Sequence, residues 1–293
     1  MHTGDDEVQF LESVLFEAFG YTPEIQDLRL MTGGSINTSV QLVTDRGTYF
    51  VKWNDADADD MFRTEALGLE LLHQTGTFTI PRVLHQGSRG DKAYLVLEYV
   101  EAAPQRATYW EEFGQSLAEL HSHTQAEFGL SFNNYIGSLP QRNNCHADGI
   151  EFFIEERLKV QSGLALYNNL ISRKLYDSFN TLYKALPDLL PTERPALVHG
   201  DLWSGNVITD AQGRVCIVDP APHYGLREAE IAFTFLFGGF SPAFYESYYE
   251  SYPLAKNFEE RVPIYNLYPL LVHVNLFGQS YVKAVEKTLR RFN

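Results

Sequence analysis

The segment His199-Gly-Asp-Leu-Trp-Ser-Gly-Asn206 holds the densest set of residues that could do chemistry. Asp201 could accept a proton from a hydroxyl group, and Asn206 could return from the same loop to a metal ion. Asp219 follows the apolar run 215–218, which predicts a short strand, so a hairpin would bring a second carboxylate beside the loop. A base and two oxygen ligands for Mg²⁺ are what phosphoryl transfer to an alcohol requires.

The spacing of these residues is that of the catalytic loop of kinases, in which His-x-Asp-x-x-x-x-Asn supplies a base and a metal ligand. Asp219 stands thirteen residues after Asn206, where a second metal-binding aspartate is expected. Isolated acidic residues usually lie in solvated turns. Here the apolar flanks and the position of Asp219 favour the functional interpretation.

A glycine pair marks a possible phosphate-binding turn. Residues 32–37 (Thr-Gly-Gly-Ser-Ile-Asn) lie between two strand-like runs, and glycine lets backbone N–H groups come close to phosphate oxygens. Gly33, Gly34, Ser35 and Asn37 are therefore candidate nucleotide-binding residues. A hairpin turn without a ligand is the alternative that the sequence leaves open.

Lys52 lies in the apolar run 49–53, and Glu65 follows thirteen residues later on a predicted helix. This spacing suits the Lys–Glu ion pair that positions the phosphates of ATP in kinases. Glu70, further along the same helix, is the alternative partner. The alternative to this predicted ion pair is that Lys52 faces solvent from its strand and has no role at the nucleotide.

The elements that must position these residues change in type near residue 100. Strand-like runs and two helices precede this point, whereas helical periodicity dominates after it, interrupted by short strands near 196–198 and 215–218. We therefore predict an α+β fold with two lobes. Residues 1–100 form a small, antiparallel, β-rich lobe that binds the nucleotide, and residues 101–293 form a larger, mostly helical lobe for catalysis and substrate.

The run 95–100 (Leu-Val-Leu-Glu-Tyr-Val) closes the first lobe, where a kinase fold would bind adenine. Backbone groups of Glu98 and Val100 could hydrogen-bond the base. A simple edge strand is the alternative, since only the position in the chain favours the adenine contact.

The composition of the chain limits the kinds of molecule that it can bind. The 293 residues include 38 acidic and 23 basic side chains, a net charge of −15, which argues against nucleic-acid binding. A phosphate ligand is still compatible, because one lysine and a metal can reverse the field locally. Cys145 and Cys216 make no disulfide framework, and no signal peptide or membrane span is recognisable, so we expect a cytoplasmic protein.

From about residue 10 to its end, the sequence resembles the fructosamine (ketosamine) kinases, relatives of the aminoglycoside phosphotransferases. The matching segments are the loop 199–206, Asp219-Pro-Ala, Asn134-Tyr-Ile-Gly with Pro140-Gln141, Phe152-Phe153 through Arg157-Leu158 to Gln161, Tyr224-Gly-Leu-Arg-Glu and Leu236-Phe-Gly-Gly-Phe. Many small-molecule kinases share His-Gly-Asp and the following Asn. Trp203 and the Asn-Tyr-Ile-Gly segment point more narrowly to the ketosamine group.

The resemblance implies a protein-kinase-like fold and transfer of phosphate from ATP to the 3-hydroxyl of a ketose attached to an amine. The phosphorylated product then releases the amine, which reverses glycation. The implied roles are Asp201 as general base, Asn206 and Asp219 as Mg²⁺ ligands, Lys52 and Glu65 at the nucleotide, and Trp203, Asn134 and Tyr135 at the substrate. For Trp203, packing beneath the loop is the alternative.

Two other functions stay open at this point. One is a kinase of the same fold that acts on an aminoglycoside, choline or a sugar alcohol, and the other is a nucleotide-binding pseudokinase scaffold. The sequence also departs from the family pattern, with Cys145 and Gly149 where tryptophans are usual and Glu in Glu228-Ala-Glu230 where Asp is common. We expect a monomer; Ser35 replaces the cysteine that allows redox-linked dimers in many members.

Overall fold

The computed structural model describes residues 3–31, 37–55 and 59–292. The chain divides into two compact units. The first comprises Met1–Arg106 with Ile208–Asp219, and the second comprises Ala107–Val207 with Pro220–Asn293. The predicted lobe boundary after residue 100 lies near Arg106, where the chain first passes from one unit to the other. The prediction places 208–219 in the second lobe, whereas the structure groups these residues with the first unit.

A five-stranded antiparallel sheet is the basis of the first unit, with strand order β1-β2-β3-β5-β4. The strands are β1 (Ile25–Leu30), β2 (Thr38–Thr44), β3 (Gly47–Asp55), β4 (Val83–Arg89) and β5 (Lys92–Glu98). Strands β2 and β3 form the predicted hairpin, and Gly47 begins β3 with φ +141°.

Two helices accompany this sheet, α1 (Thr3–Phe19) and α2 (Asp59–His73). Buried leucine and valine side chains of α1 belong to the same core as Val40, Leu42 and Val51 of the sheet. Helix α2 buries Phe62 and Leu69, which explains its apolar spacing.

The second unit is mostly helical. Its helices are α3 (Tyr109–Ser122), α4 (Gly149–Phe152), α5 (Lys159–Tyr167), α6 (Arg173–Leu189), α7 (Arg227–Thr234), α8 (Pro242–Ser251), α9 (Phe258–Tyr265), α10 (Leu267–Phe277) and α11 (Val282–Leu289). A π-helical segment, Phe153–Leu158, connects α4 to α5. Helix α3 approaches α8 closely at Gly114, where a Cβ would lie 2.3 Å from the carbonyl oxygen of Phe244.

Short strand pairs complete the fold: β6 (Asn134–Ile136) with β7 (Leu139–Gln141), β8 (Ala196–Val198) with β11 (His223–Gly225), and β9 (Val207–Thr209) with β10 (Val215–Ile217). None of the helices in the described ranges is long and apolar enough to span a membrane. The predicted α+β class is confirmed, since an antiparallel sheet dominates the first unit and helices dominate the second.

The hairpin segment 208–219 joins the first unit through specific hydrogen bonds. Ile217 donates its N–H to the carbonyl of Thr79 at 3.2 Å, and the hydroxyl of Thr79 donates to Asp210 Oδ2 at 2.7 Å. Arg106 donates its N–H to the carbonyl of Gly213 at 3.1 Å. These bonds link residues more than a hundred positions apart. A single boundary drawn from the local sequence pattern therefore does not place 208–219 with the first unit.

Candidate active site

Lys52 is the centre of a buried ion cluster in the first unit. Its Nζ lies 2.8 Å from Asp219 Oδ1 and forms a second ion pair with Glu65 of α2. The alternative partner, Glu70, instead accepts a hydrogen bond from Gln74 at 3.1 Å. The structure therefore brings together three predicted residues, Lys52, Glu65 and Asp219.

The electrostatics of this cluster keep the lysine charged. Burial alone would lower the pKa of Lys52, but the carboxylates of Asp219 and Glu65 outweigh it and raise the pKa. Burial also raises the pKa of Glu65, and Lys52 offsets only part of this rise. Lys52 is thus a fixed cation held by two acidic partners, as phosphate binding requires.

Asp219 has an unusual backbone and an accessible carboxylate. Its φ of +51° lies in the left-handed region, which non-glycine residues rarely adopt and which is frequent at functional sites. Its side chain is 58 % exposed although one oxygen contacts Lys52. Carboxylate oxygens are ligands that Mg²⁺ prefers, so Asp219 fits the predicted metal-binding role.

The remaining predicted nucleotide contacts are only partly described. Gly33, Gly34 and Ser35 lie outside the described residues, whereas Asn37 Oδ1 accepts a hydrogen bond from Asn54 Nδ2 at 2.9 Å. Glu98 ends β5 and donates its N–H to the carbonyl of Arg82 at 2.9 Å, so a contact with adenine would fall to its carbonyl. Val100 is half-buried two residues beyond β5. Their nucleotide contacts stay predictions.

In the second unit, Asn206 holds the side chain of Asp201. Its Nδ2 donates to the carbonyl oxygen and to Oδ2 of Asp201, both at 2.9 Å. A short 3₁₀ turn, Ser204–Asn206, makes this return possible. Because the amide nitrogen faces Asp201, the amide oxygen is directed away from it, and an amide oxygen is a suitable ligand for Mg²⁺.

Glu230 of α7 anchors the start of this loop. Its Oε2 accepts the N–H of His199 at 3.0 Å and contacts Nε2 of His121 at 2.9 Å, while Oε1 accepts the N–H of Gly200 at 2.6 Å. Burial alone would raise the pKa of Glu230, but the hydrogen bond and charge of His121 lower it. The carboxylate therefore fixes two successive backbone groups immediately before Asp201.

The spacing of the catalytic loop does not predict this role of Glu230, which lies in a segment that has Glu where the family pattern commonly has Asp. The available signal was an acidic residue followed by the apolar residues Ile231, Ala232 and Phe233. An acid at a buried helix position needs hydrogen-bond partners.

Gly200 must be glycine for two reasons. Its φ is +85°, and a Cβ at this position would lie 2.0 Å from the carbonyl oxygen of Ala221. Ala221 also donates its N–H to the carbonyl of His199 at 2.9 Å. The backbone immediately before Asp201 is thus held by a close approach that no side chain allows.

Asn134 has a different position from the one expected of a substrate contact. It is buried, its Nδ2 donates to the carbonyl of Pro222 at 2.8 Å, and its Oδ1 accepts from Gln141 at 2.8 Å and from Asn143 at 3.0 Å. The protein therefore uses both ends of this amide, and the geometry favours a positioning role for Asn134. Tyr135, the next residue, is half-buried in β6.

Trp203 lies across the loop and remains 36 % exposed. Its ring covers Gly205, where a Cβ would lie 2.3 Å from the indole, and its centre is 6.0 Å from the ring of Phe237. This exposure disagrees with the alternative of packing beneath the loop. An accessible aromatic face two residues after Asp201 in the sequence can contact a ligand.

Comparison with known proteins decides the family. The family model described as Fructosamine kinase matches residues 8–292. The chain belongs to the fructosamine kinase family. A "Probable ketoamine kinase" of Synechocystis is 38 % identical over 291 residues, which cover 97 % of this chain and 96 % of the relative.

Two further fructosamine kinase relatives extend the comparison. The chloroplastic "Protein-ribulosamine 3-kinase" of Arabidopsis thaliana is 36 % identical over 267 residues, which cover 89 % of this chain and 81 % of the relative. The crystal structure of a "Putative fructosamine-3-kinase" from Haemophilus somnus has a TM-score of 0.87 and 30 % identity, covering 96 % of both chains. The fold is therefore protein-kinase-like, as predicted.

Membership of the fructosamine kinase family makes this chain an ATP-dependent phosphotransferase with an alcohol group as acceptor. The family assignment favours a ketosamine kinase over the other acceptors considered from the sequence and over a pseudokinase scaffold. The acceptor class is a small-molecule or protein-bound ketosamine. The roles of individual residues are not decided by family membership, and they follow as a proposal.

Proposed function

We propose that this chain transfers the γ-phosphoryl group of Mg·ATP to the 3-hydroxyl of a ketose attached to an amine, with Asp201 as the base. The observation that carries the proposal is the contact of Asn206 with both the backbone and the carboxylate of Asp201 on a loop anchored by Glu230. The ribulosamine 3-kinase of Arabidopsis supports the choice of hydroxyl, since that name specifies position 3.

Each side chain would contribute positioning or charge, because phosphoryl transfer needs little covalent participation from the protein. Asp201 would align the acceptor hydroxyl and receive its proton late in the transfer. Lys52, held charged by Glu65, would bind the phosphates of ATP. The fixed orientation of both groups lowers the entropy that must be lost in the transition state.

Mg²⁺ fits the donors that the chain offers. Asn206 presents an amide oxygen and Asp219 an exposed carboxylate, both hard oxygen ligands. When bound, the ion would neutralise charge that develops on the transferring phosphoryl group. Asn206 would then serve twice, through its nitrogen on Asp201 and through its oxygen on the metal.

Trp203 is the proposed contact for the body of the acceptor. Its accessible indole face suits the C–H edges of a ketose, and it could also attract a protonated amine through a cation–π interaction. This assignment explains why a large aromatic side chain stands exposed in the loop that carries the base.

Mass spectrometry of ribulosyl-lysine and fructosyl-lysine incubated with the protein and Mg·ATP tests the proposed function. We expect the mass of one phosphate group to appear on at least one ketosamine, and NMR of the product to place it on the 3-hydroxyl. Choline, sorbitol and an aminoglycoside serve as comparison acceptors. Phosphorylation of one of these acceptors with none of the ketosamines would overturn the proposal.

A further inference from the structure

A pocket in the second unit reaches Asp201 and has mainly aromatic and aliphatic walls. Gly200 and Asp201 form part of its lining, and the apolar wall includes Phe152, Phe153, Phe233, Tyr265, Tyr268 and Val272. A molecule held in this pocket would therefore lie beside the proposed base. Apolar walls with a few polar groups are the usual composition of a small-molecule site.

Arg157 is a charged group in the wall of this mainly apolar pocket. It lines the pocket and is 2 % exposed. The guanidinium carbon lies 4.6 Å from the ring centre of Phe152 and 5.5 Å from that of Tyr268, which both line the pocket. The charged group is thus fixed between two aromatic rings of the wall.

The hydrogen bonds of Arg157 go to neutral acceptors. Nη1 donates to the carbonyl oxygens of Arg142 at 2.5 Å and Glu156 at 3.2 Å, and Nη2 donates to Asn143 Oδ1 at 2.7 Å. Nε has no hydrogen-bond partner within the described part of the chain. A guanidinium has five N–H donors, and none of the three acceptors that Arg157 contacts carries a charge.

No carboxylate of the described residues forms an ion pair with Arg157. The adjacent acid, Glu156, directs its carboxylate to Arg142 at 3.4 Å and to His146 at 3.1 Å. Buried charges in proteins are normally paired, because removal from water is costly for an isolated ion. An unpaired guanidinium at the wall of a pocket therefore indicates that an anionic ligand group completes it.

Other charged groups in the lining do not supply that partner. Glu230 already accepts hydrogen bonds from two backbone N–H groups and contacts His121. Burial and the charge of Arg157 hold the pKa of His223 well below its ordinary value, so this imidazole stays neutral. The carboxylate of Asp201 accepts the amide of Asn206.

The backbone at Arg157 is also unusual. The residue belongs to the π-helical segment Phe153–Leu158 between α4 and α5. Single π-helical turns are rare inside helices and are frequent at functional sites. The segment shifts the register of the helix in the region where Phe153 and Arg157 line the pocket.

We propose that Arg157 binds the α-carboxylate of the acceptor, so that this kinase prefers ketosamines of free α-amino acids, with the amino-acid side chain against the aromatic wall. This inference rests on the proposed function. In such an acceptor the carboxylate is attached to the carbon next to the nitrogen, and about six bonds separate the carboxyl carbon from the oxygen of the 3-hydroxyl, while Asp201 and Arg157 line one pocket. One end can therefore meet Asp201 while the other meets Arg157. The free Nε donor would make a charge-assisted hydrogen bond to a carboxylate oxygen.

Two matched acceptors test the inference: ribulosyl-valine and ribulosyl-valinamide. They differ only in one group, which is a carboxylate in the first and a carboxamide in the second. We expect kcat/KM of the wild-type protein to be at least about tenfold higher for the carboxylate, as for a hydrogen bond to a charged group. In Arg157→Met, which keeps an unbranched side chain without the charge, the ratio should fall to near one. A preference that arose from the different basicity of the two amines would survive in this variant.

Equal kcat/KM values for the two acceptors in the wild-type protein would overturn the inference, as would a ratio that Arg157→Met leaves unchanged. The wild-type comparison needs no variant, so the inference stays falsifiable if Arg157→Met does not fold. Phosphorylation of both acceptors at equal rates contradicts the role of Arg157 alone. Failure to phosphorylate these acceptors and the lysine ketosamines contradicts the proposed function as well.

Discussion

Asn206 fixes the side chain of Asp201 through hydrogen bonds. Its amide nitrogen contacts two oxygens of Asp201, which removes rotational freedom from the carboxylate before any substrate binds. The spacing in the sequence predicts both residues, because they stand in one loop. It does not predict the donor and acceptor atoms, since these depend on the 3₁₀ turn that returns the chain.

Replacement of Asp201 by Asn separates its proposed role from nucleotide binding. We expect kcat to fall by about 10²- to 10⁴-fold, the range for loss of a general base, because the amide cannot accept the proton. Affinity for ATP should hardly change, since Lys52, Glu65 and Asp219 are intact. A coupled ADP assay measures the first quantity and calorimetric titration of ATP the second. Loss of ATP affinity comparable to the loss of kcat would contradict the assignment.

At the scale of secondary-structure elements, some features follow from the local sequence and others depend on contacts between residues far apart in the chain. The β2–β3 hairpin, α2 and the catalytic loop follow from hydrophobic period, turn residues and spacing, all of which are local. The contact of Glu230 with His199 is not predictable in this way, because it joins residues 31 positions apart. No local pattern in the sequence predicts the π-helical segment either. Dependence on distant contacts also explains why Asn134, a predicted substrate contact, is enclosed by other elements.

Two glycine substitutions test which elements depend on backbone conformation. Gly200→Ala should lower the free energy of unfolding by about 1–3 kcal/mol from the positive φ alone and should abolish most turnover, because the Cβ meets the carbonyl of Ala221. Gly163→Ala is the matched control inside α5, where a Cβ meets nothing within 4 Å. It should raise the free energy of unfolding by up to about 1 kcal/mol and preserve kcat. Urea unfolding and steady-state kinetics give both quantities, and a fully active Gly200→Ala would contradict the steric account.

At the scale of the molecule, net charge and local charge have different consequences. The net charge of −15 disfavours polyanionic partners, yet Lys52 and Arg157 are both buried cations. Composition could not reveal them, because 23 basic side chains are counted alike wherever they lie. Lys52 is held by two acids, whereas Arg157 is not, and this difference is the reason for the proposals that Lys52 binds phosphate and Arg157 the acceptor.

Buried histidine also makes the stability of the molecule depend on pH. Burial and Arg157 hold the pKa of His223 well below the value of about 6.5 expected in the unfolded chain. Below pH 6.5 the unfolded state therefore gains a proton that the folded state does not take, so stability falls as the pH falls. Above pH 6.5 both states are neutral at this residue and the contribution vanishes.

The variant His223→Leu should lack this contribution. The free energy of unfolding of the wild type, minus that of the variant, should decrease by about 1.4 kcal/mol for each pH unit below 6.5, until the folded-state pKa is reached. Urea unfolding at pH 7.5, 6.0 and 5.0 measures the difference. Phe152→Leu is the control, since it alters the ring 5.7 Å from His223 and removes no titrating group. If the difference between wild type and His223→Leu is independent of pH, His223 takes up its proton at the same pH in the folded and unfolded states, and its pKa is not lowered by burial and Arg157.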